Sequence, residues 1–351
     1  MAPKILINVG GLEGVGSVYK QSSKGLREFS DLWLEHREVS VVWDLRLVQN
    51  NKISISALAF FLSIAHRVNH FTQKPQTILI NWHSKTLGFL SDVGFFQVAN
   101  YYELFDWPFE MGGFTEGQTN PNSKVMSFDE LDLNRPDYSC EEAISTWKRV
   151  HREHYRQEIV NKCSSLFSNK DDISKSRNSV LILSRTCSEL AVNSLLWGRA
   201  SAFLGLQRSR KRITISASDI GIGIYSSLKG KGSNNVECDF DEDIKGVLLS
   251  SIINPNDFGL KRAIQTVVDF GGSISIASGK GEVFWAKPMW ETFLAAYESK
   301  GVESAFSSLP GVVFKANMEQ RDFGYIRHWK YSIRGTRITF SLPIGESETR
   351  R

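Results

Sequence analysis

Apolar and polar positions along the first hundred residues alternate between a strand period and a helix period. Val39-Ser-Val-Val-Trp-Asp-Leu-Arg-Leu47 is a short β-branched run that predicts a strand, and Ser56 is placed to cap a helix running from Ala57 to about His70. Thr77-Ile-Leu-Ile-Asn-Trp82 predicts a second buried strand, followed by a helix over about 86–100 and a short strand at Tyr102-Glu-Leu-Phe-Asp106. Strands that alternate with helices describe an α/β unit.

Between Trp107 and Tyr138 the pattern dissolves into Gly, Pro, Asn, Thr and Ser, with Gly112-Gly113 and Asn120-Pro121-Asn122 as turn signals. This reads as a domain boundary. A polar helix is predicted from near Cys140, because Ile144, Trp147, His151, Tyr155, Ile159, Cys163 and Leu166 recur at three- and four-residue spacing. A polar break over 168–177 separates that helix from a second α/β region reaching the end of the chain.

Composition narrows the classes. A chain of 351 residues is long enough for two domains, and 41% hydrophobic with 23% charged residues is the balance of a globular protein. The apolar run Ala57–Ala65 stops at His66 and Arg67, short of the ~18 residues of a membrane span. Ile5–Val9 is too short for the apolar core of a signal peptide. Cys140, Cys163, Cys187 and Cys238 form no C-x-x-C pair, so free thiols and a cytoplasmic location are expected rather than a zinc or disulfide framework. A net charge of +4 from 42 basic and 38 acidic residues does not describe a broad polyanion-binding face, and a nucleic-acid partner is not expected.

Three local signals carry little chemistry. Gly10-Gly11-Leu-Glu-Gly14-Val-Gly16-Ser17 has the glycine spacing of a phosphate loop, but Ser17 stands where the loop needs lysine, and a turn between short strands is expected. His151 and His154 share a helix face with no evident third ligand, which favours an amphipathic helix over a metal site. The basic run Gln207–Arg212 precedes a strand and reads as a solvated loop.

The informative order begins at Glu189. On a helix Glu189 and Asn193 project from one face, a carboxylate beside an amide. Arg212–Ser218 alternates as a strand and runs into Asp219-Ile-Gly221-Ile-Gly223, where glycines let the chain pass close to a planar ligand and a carboxylate can accept from an exocyclic amine. Gly259-Leu260 opens an apolar helix, a favourable seat for phosphate. Gly271-Gly272 turns that helix into the strand 273–278, and Gly335-Thr336 begins a closing strand that reaches Pro343.

This ordered set resembles the ATP-binding domain of the GHKL superfamily, which includes gyrase, large heat-shock chaperones, histidine kinases and MutL. The resemblance covers about residues 178–345 and implies a two-layer α/β sandwich, the Bergerat fold, that binds ATP with Mg²⁺. It implies Glu189 as general base, Asn193 as Mg²⁺ ligand, and Asp219 as reader of the adenine amine with Thr336 nearby through water. Gly221 and Gly223 would shape the adenine pocket, Gly259 and Leu260 would offer N–H groups to the phosphates, and residues 225–258 would form a lid. The chain departs from the family in keeping one glycine in the phosphate box, though Lys261 and Arg262 lie beside it, and in carrying an insertion over 282–334 suited to partner binding, lid packing or structural cover. About residues 15–107, within a domain expected over 1–107, resemble a STAS domain, in which a serine at the start of the first long helix can be phosphorylated; Ser54 or Ser56 falls there, without the usual Asp-Ser-x-Gly context, and residues 108–177 are then a linker and helix.

The resulting expectation is an α/β protein that binds Mg-ATP, hydrolyses it slowly, and switches its contacts with a protein partner. A homodimer is one arrangement in which the lid would close. The alternatives are a serine kinase of the anti-sigma type, acting on a STAS partner or on its own STAS-like domain, and a non-enzymatic nucleotide-binding module. His151 and His154 lack the setting of a histidine-kinase phosphoacceptor.

Overall fold

The structure is a computed structural model that describes residues 2–9, 12–48, 53–81, 84–108, 120–129, 136–167, 173–228, 241–252, 259–309, 313–315 and 326–343. The fold is mixed α/β, with one parallel and one largely antiparallel sheet. Two compact units divide the chain: residues 1–127 with 203–207, and residues 128–202 with 208–351.

In the first unit, β1 (Lys4–Asn8), β2 (Ser40–Leu45), β3 (Gln76–Ile80) and β4 (Phe105–Asp106) pair in sequence order, all parallel. Parallel neighbours require crossover connections, which helices supply. These are α1 (Val15–His36), α2 (Ile55–Thr72), and the pair α3 (Ser84–Asp92) and α4 (Phe95–Tyr101). The expected helix over 86–100 is thus two helices, broken at Gly94. Gly14 caps α1, so the glycine run leads into a 22-residue helix rather than a turn between strands; Gly10 and Gly11 themselves lie outside the described residues. α1 hides in the sequence because its buried face includes Ser22 and Ser23, whose hydroxyls donate to the Val18 and Lys20 carbonyls and so become compatible with burial.

The apolar run Ala57–Ala65 is the buried centre of α2, and among the described residues no helix is long and apolar enough to cross a membrane. Phe61 of α2 packs edge-on to Trp43 and stacks with Phe95 and Phe105. The Trp43 indole donates to the Gln76 side-chain oxygen and the Gln76 amide donates to Ala65 O at 2.9 Å, so this core keeps its polar atoms bonded. Ser54, not Ser56, occupies the cap of α2. Its N–H donates to Leu12 O at 2.6 Å, whereas Ser56 sits inside the first turn at 5% exposure.

β5 (Ser123–Phe128) lies beside β6 (Ala202–Arg208), and in the second unit β7 (Arg212–Ser218), β10 (Ile326–Pro343) and β8 (Ser273–Trp285) pair in that order, with β9 (Val313–Lys315) parallel on β10. β10 is antiparallel to both β7 and β8, which puts Ile215, Phe340 and Ile274 in one buried row and Ala217, Ile338 and Ile276 in the next. The basic run 207–212 spans the end of β6, a tight turn closed by Ser209 N–H donating to Arg212 O, and the start of β7.

Helices α5 (Glu141–Phe167), α6 (Ile173–Asn193), α7 (Ile224–Leu228), α8 (Glu242–Ile252) and α9 (Leu260–Asp269) belong to the second unit, with α8 and α9 packed on β8 and α5 packed along α6. α5, expected in the linker over 108–177, is therefore part of that unit, as is the first turn of α6. The expected lid over 225–258 contains α8, whose Ile244, Val247, Leu248, Leu249 and Ile252 are buried; 229–240 and 253–258 lie outside the described residues. Within the insertion, α10 (Lys287–Lys300) and α11 (Val302–Ser307) surround a core of Trp285, Trp290, Phe293 and Phe306. The Trp290 indole donates to Gln265 of α9 at 2.6 Å, so the described part of the insertion has its own aromatic centre and is tied to α9.

Candidate functional site

The last turn of α6 carries Glu189 and Asn193, and four-residue spacing brings the two side chains together: the Asn193 amide donates to Glu189 Oε1 at 3.2 Å. Immediately afterwards the helix widens into a π-turn over Ser194–Gly198 and ends with Arg199 in the left-handed region. Such wide turns arise where one extra residue is accommodated, often beside functional groups. Here the turn delivers the Gly198 carbonyl to the loop after β7, where it accepts from Ile222 N–H at 3.0 Å. A Cβ at Gly221 would overlap that carbonyl, so this glycine is required by close passage of two backbones.

Asp219, at the end of β7, is 1% exposed. Its Oδ1 accepts from Gly221 N–H at 3.0 Å and from Thr336 N–H at 3.1 Å. The Asp219 N–H also donates to Thr336 O at 2.9 Å, and Thr336 N–H reaches Asp219 O at 3.2 Å. Two residues 117 apart in sequence are thus locked to each other, with Thr336 paired across the sheet with Ser278. Gly335 makes this junction possible: its φ is 95°, and a side chain would strike the Asp219 carbonyl. Gly223 lies one turn of loop further on, and the Ser278 hydroxyl accepts from Ile224 N–H at 2.9 Å, pinning the loop to β8.

Glu189 is fully buried and faces two cations of α5, Lys148 at 3.4 Å from Oε1 and Arg152 at 2.7 Å from Oε2. Burial pushes its carboxyl above the ordinary glutamate range, against the opposing pull of Lys148, Arg152 and the Asn193 amide. Neither cation was singled out in the sequence. The stripe Ile144, Trp147, His151, Tyr155 and Ile159 identified the packed face of α5, and the available signal was that Lys148 and Arg152 border that stripe at four-residue spacing. His151 lies 4.1 Å from the Trp147 ring, and burial, then the charge of His154, lowers its imidazole pKa. Among the described residues no group of three His, Cys, Asp or Glu side chains is arranged to hold a metal ion.

Gly259 adopts an extended conformation as the cap of α9, and its carbonyl accepts from Ala263 N–H at 3.0 Å. Leu260 opens the helix, leaving first-turn N–H groups at its N-terminus. α9, which Gly259 and Leu260 open, packs against α6. Lys261, expected beside a phosphate, lies over the Tyr297 ring, 5.6 Å from its centroid. The structure therefore assembles two linked clusters, Asp219 with Gly221, Gly223 and Thr336, and Glu189 with Asn193, joined by the π-turn.

Compared with known proteins, the chain matches no family model, and the searches of curated proteins and of solved structures found no match to it.

Proposed function

We propose that the second unit binds Mg-ATP in the manner of a GHKL domain, with Asp219 reading the adenine amine and Thr336 beside it. The observation that carries this reading is the Asp219–Thr336 junction: a buried carboxylate held by two backbone N–H groups from segments far apart in sequence, next to a glycine-built loop. A carboxylate with about four acceptor positions retains capacity for an amine when two backbone donors occupy one oxygen. Gly259 and Leu260 supply N–H donors for phosphate at the start of α9.

Asn193 suits Mg²⁺, which takes few protein ligands and completes its shell with phosphate oxygens and water. The Asn193 Nδ2 already donates to Glu189, so Oδ1 is the atom it offers to a cation. The ion would supply charge neutralisation at the phosphates. Glu189 would orient the attacking water and accept its proton, and a raised carboxyl pKa favours that role. Turnover is slow on this reading, because Lys148 and Arg152 occupy both Glu189 oxygens in the structure described.

The first unit acts on this reading as a STAS-like regulatory module that meets a protein partner or a second copy, in the cytoplasm. A kinase acting on its own STAS-like domain would use Ser54, since Ser56 is buried. The two cations on Glu189 favour a second reading, nucleotide binding without hydrolysis. Isothermal titration of the full chain with ATP and ADP, with and without Mg²⁺, tests the first claim; Asp219→Asn should abolish binding of both nucleotides. Phosphate release separates the readings: turnover lost in Glu189→Ala supports hydrolysis, and a wild-type protein that binds ATP without releasing phosphate establishes the passive module.

A further inference from the structure

We infer that Lys148 and Arg152 of α5 are the clamp for the terminal phosphate of the nucleotide, and that Glu189 holds their place until it arrives. The inference rests on the nucleotide reading of the Asp219 cluster. Its own basis is the geometry around Glu189. Both cations are largely buried, with side chains 12% and 18% exposed, and they approach the two oxygens of one carboxylate at 3.4 and 2.7 Å. Buried lysine and arginine side chains are costly to desolvate, so a pair of them directed at one point marks a place built for negative charge.

A phosphoryl group presents its oxygens to an arginine fork and an ammonium much as a carboxylate does, with more charge. The point of convergence is one helical turn from Asn193, the residue offered to Mg²⁺. At the start of α9, Lys261 lies over the Tyr297 ring. Exchange of Glu189 for the γ-phosphate would do two things at once. It would neutralise the triphosphate, and it would release the carboxylate to orient water. ADP, lacking the γ-phosphate, would leave the ion pairs in place, so the protein would distinguish the two nucleotides through α5.

The test compares full-length wild type, Glu189→Gln, Lys148→Gln/Glu189→Gln and Lys148→Gln/Arg152→Gln/Glu189→Gln by titration with Mg-ATP and Mg-ADP. Carrying the Glu189→Gln substitution in every variant avoids stranding a buried carboxylate, and circular dichroism checks the fold. Removing the competitor should tighten ATP binding in Glu189→Gln by about tenfold while ADP stays within about threefold of wild type. Against that background, losing Lys148 should weaken ATP by about tenfold and losing both cations by about 100-fold, with ADP again within about threefold. An ATP-to-ADP affinity ratio that is the same in the triple variant as in Glu189→Gln overturns the clamp while leaving the nucleotide site standing. A parallel fall of both nucleotides also overturns it, since the cations would then act on the fold. If Glu189→Gln and wild type bind neither nucleotide, the reading of the Asp219 cluster falls and the clamp falls with it.

Discussion

Asp219 and Glu189 are both buried carboxylates of the second unit, and they are partnered in opposite ways. Asp219 is held by backbone N–H groups of Gly221 and Thr336, which cannot move without dismantling β10 and the loop after β7. Glu189 faces the ends of two long side chains, Lys148, which donates to Oε1, and Arg152, whose Nε lies 2.7 Å from Oε2 without hydrogen-bond geometry. Backbone donors make a fixed recognition element, whereas side-chain cations make an exchangeable one. The contrast teaches that a carboxylate held by backbone groups and one faced by side-chain cations can be joined by one π-turn and still differ in what can replace their partners.

The comparison breaks most sharply where a charge is stranded. Arg152→Ala should lower stability by about 3–5 kcal/mol, because Glu189 would remain buried beside a single cation, and adding Glu189→Gln should recover part of that loss in urea denaturation. Equal stabilities of the single and double variants would mean that the pair is solvated rather than sequestered. At the rigid cluster, Gly335→Ala should cost about 1–3 kcal/mol in the same assay, since its φ of 95° and the nearby Asp219 carbonyl both oppose a side chain. Asp219→Asn is expected to cost less, about 1 kcal/mol, because the amide oxygen still accepts from Thr336 and Gly221 while the charge-assisted part of both bonds is lost.

Asp44 sharpens the comparison as a buried carboxylate whose partner is exposed. Its hydrogen bond from Arg46 holds the carboxyl below the ordinary aspartate value of 3.8, but Arg46 is 59% exposed. A lowered folded pKa contributes stability above the unfolded value and loses it as pH falls through the folded one, so the loss belongs below pH 3.8. Solvent screening limits the effect to about 0.2–1 kcal/mol, measured as the difference in acid sensitivity between wild type and Asp44→Asn. A larger difference would place Asp44 in the same class as the buried pair.

Much of this arrangement was legible in the residues. Periodicity located β2, β3, α2 and α5 to within a few positions, because apolar spacing follows directly from which face is buried. α1 was not legible, since Ser22 and Ser23 occupy positions that an apolar stripe would fill and become buried by bonding to their own helix. The cap of α2 moved from Ser56 to Ser54 for a related reason: both serines suit a cap, and the contact of Ser54 with Leu12 decides between them. The Glu189–Asn193 spacing could be read because four residues make one helical turn. Lys148 and Arg152 could not be assigned to Glu189, because a lysine and an arginine on a polar helix usually face water.

The sequence alone determined local features of this protein: β2, β3, α2 and α5, the carboxylate and amide on one face of α6, and glycines where the chain must turn or pass closely. Those depend on backbone stereochemistry and on side-chain period, which act within a few residues. Only the tertiary structure decided which charges meet. It placed Thr336 on Asp219 across 117 positions and Lys148 and Arg152 on Glu189 across the α5–α6 pair. Electrostatic partnership depends on distance and desolvation in three dimensions, and neither is written in the spacing of residues along the chain.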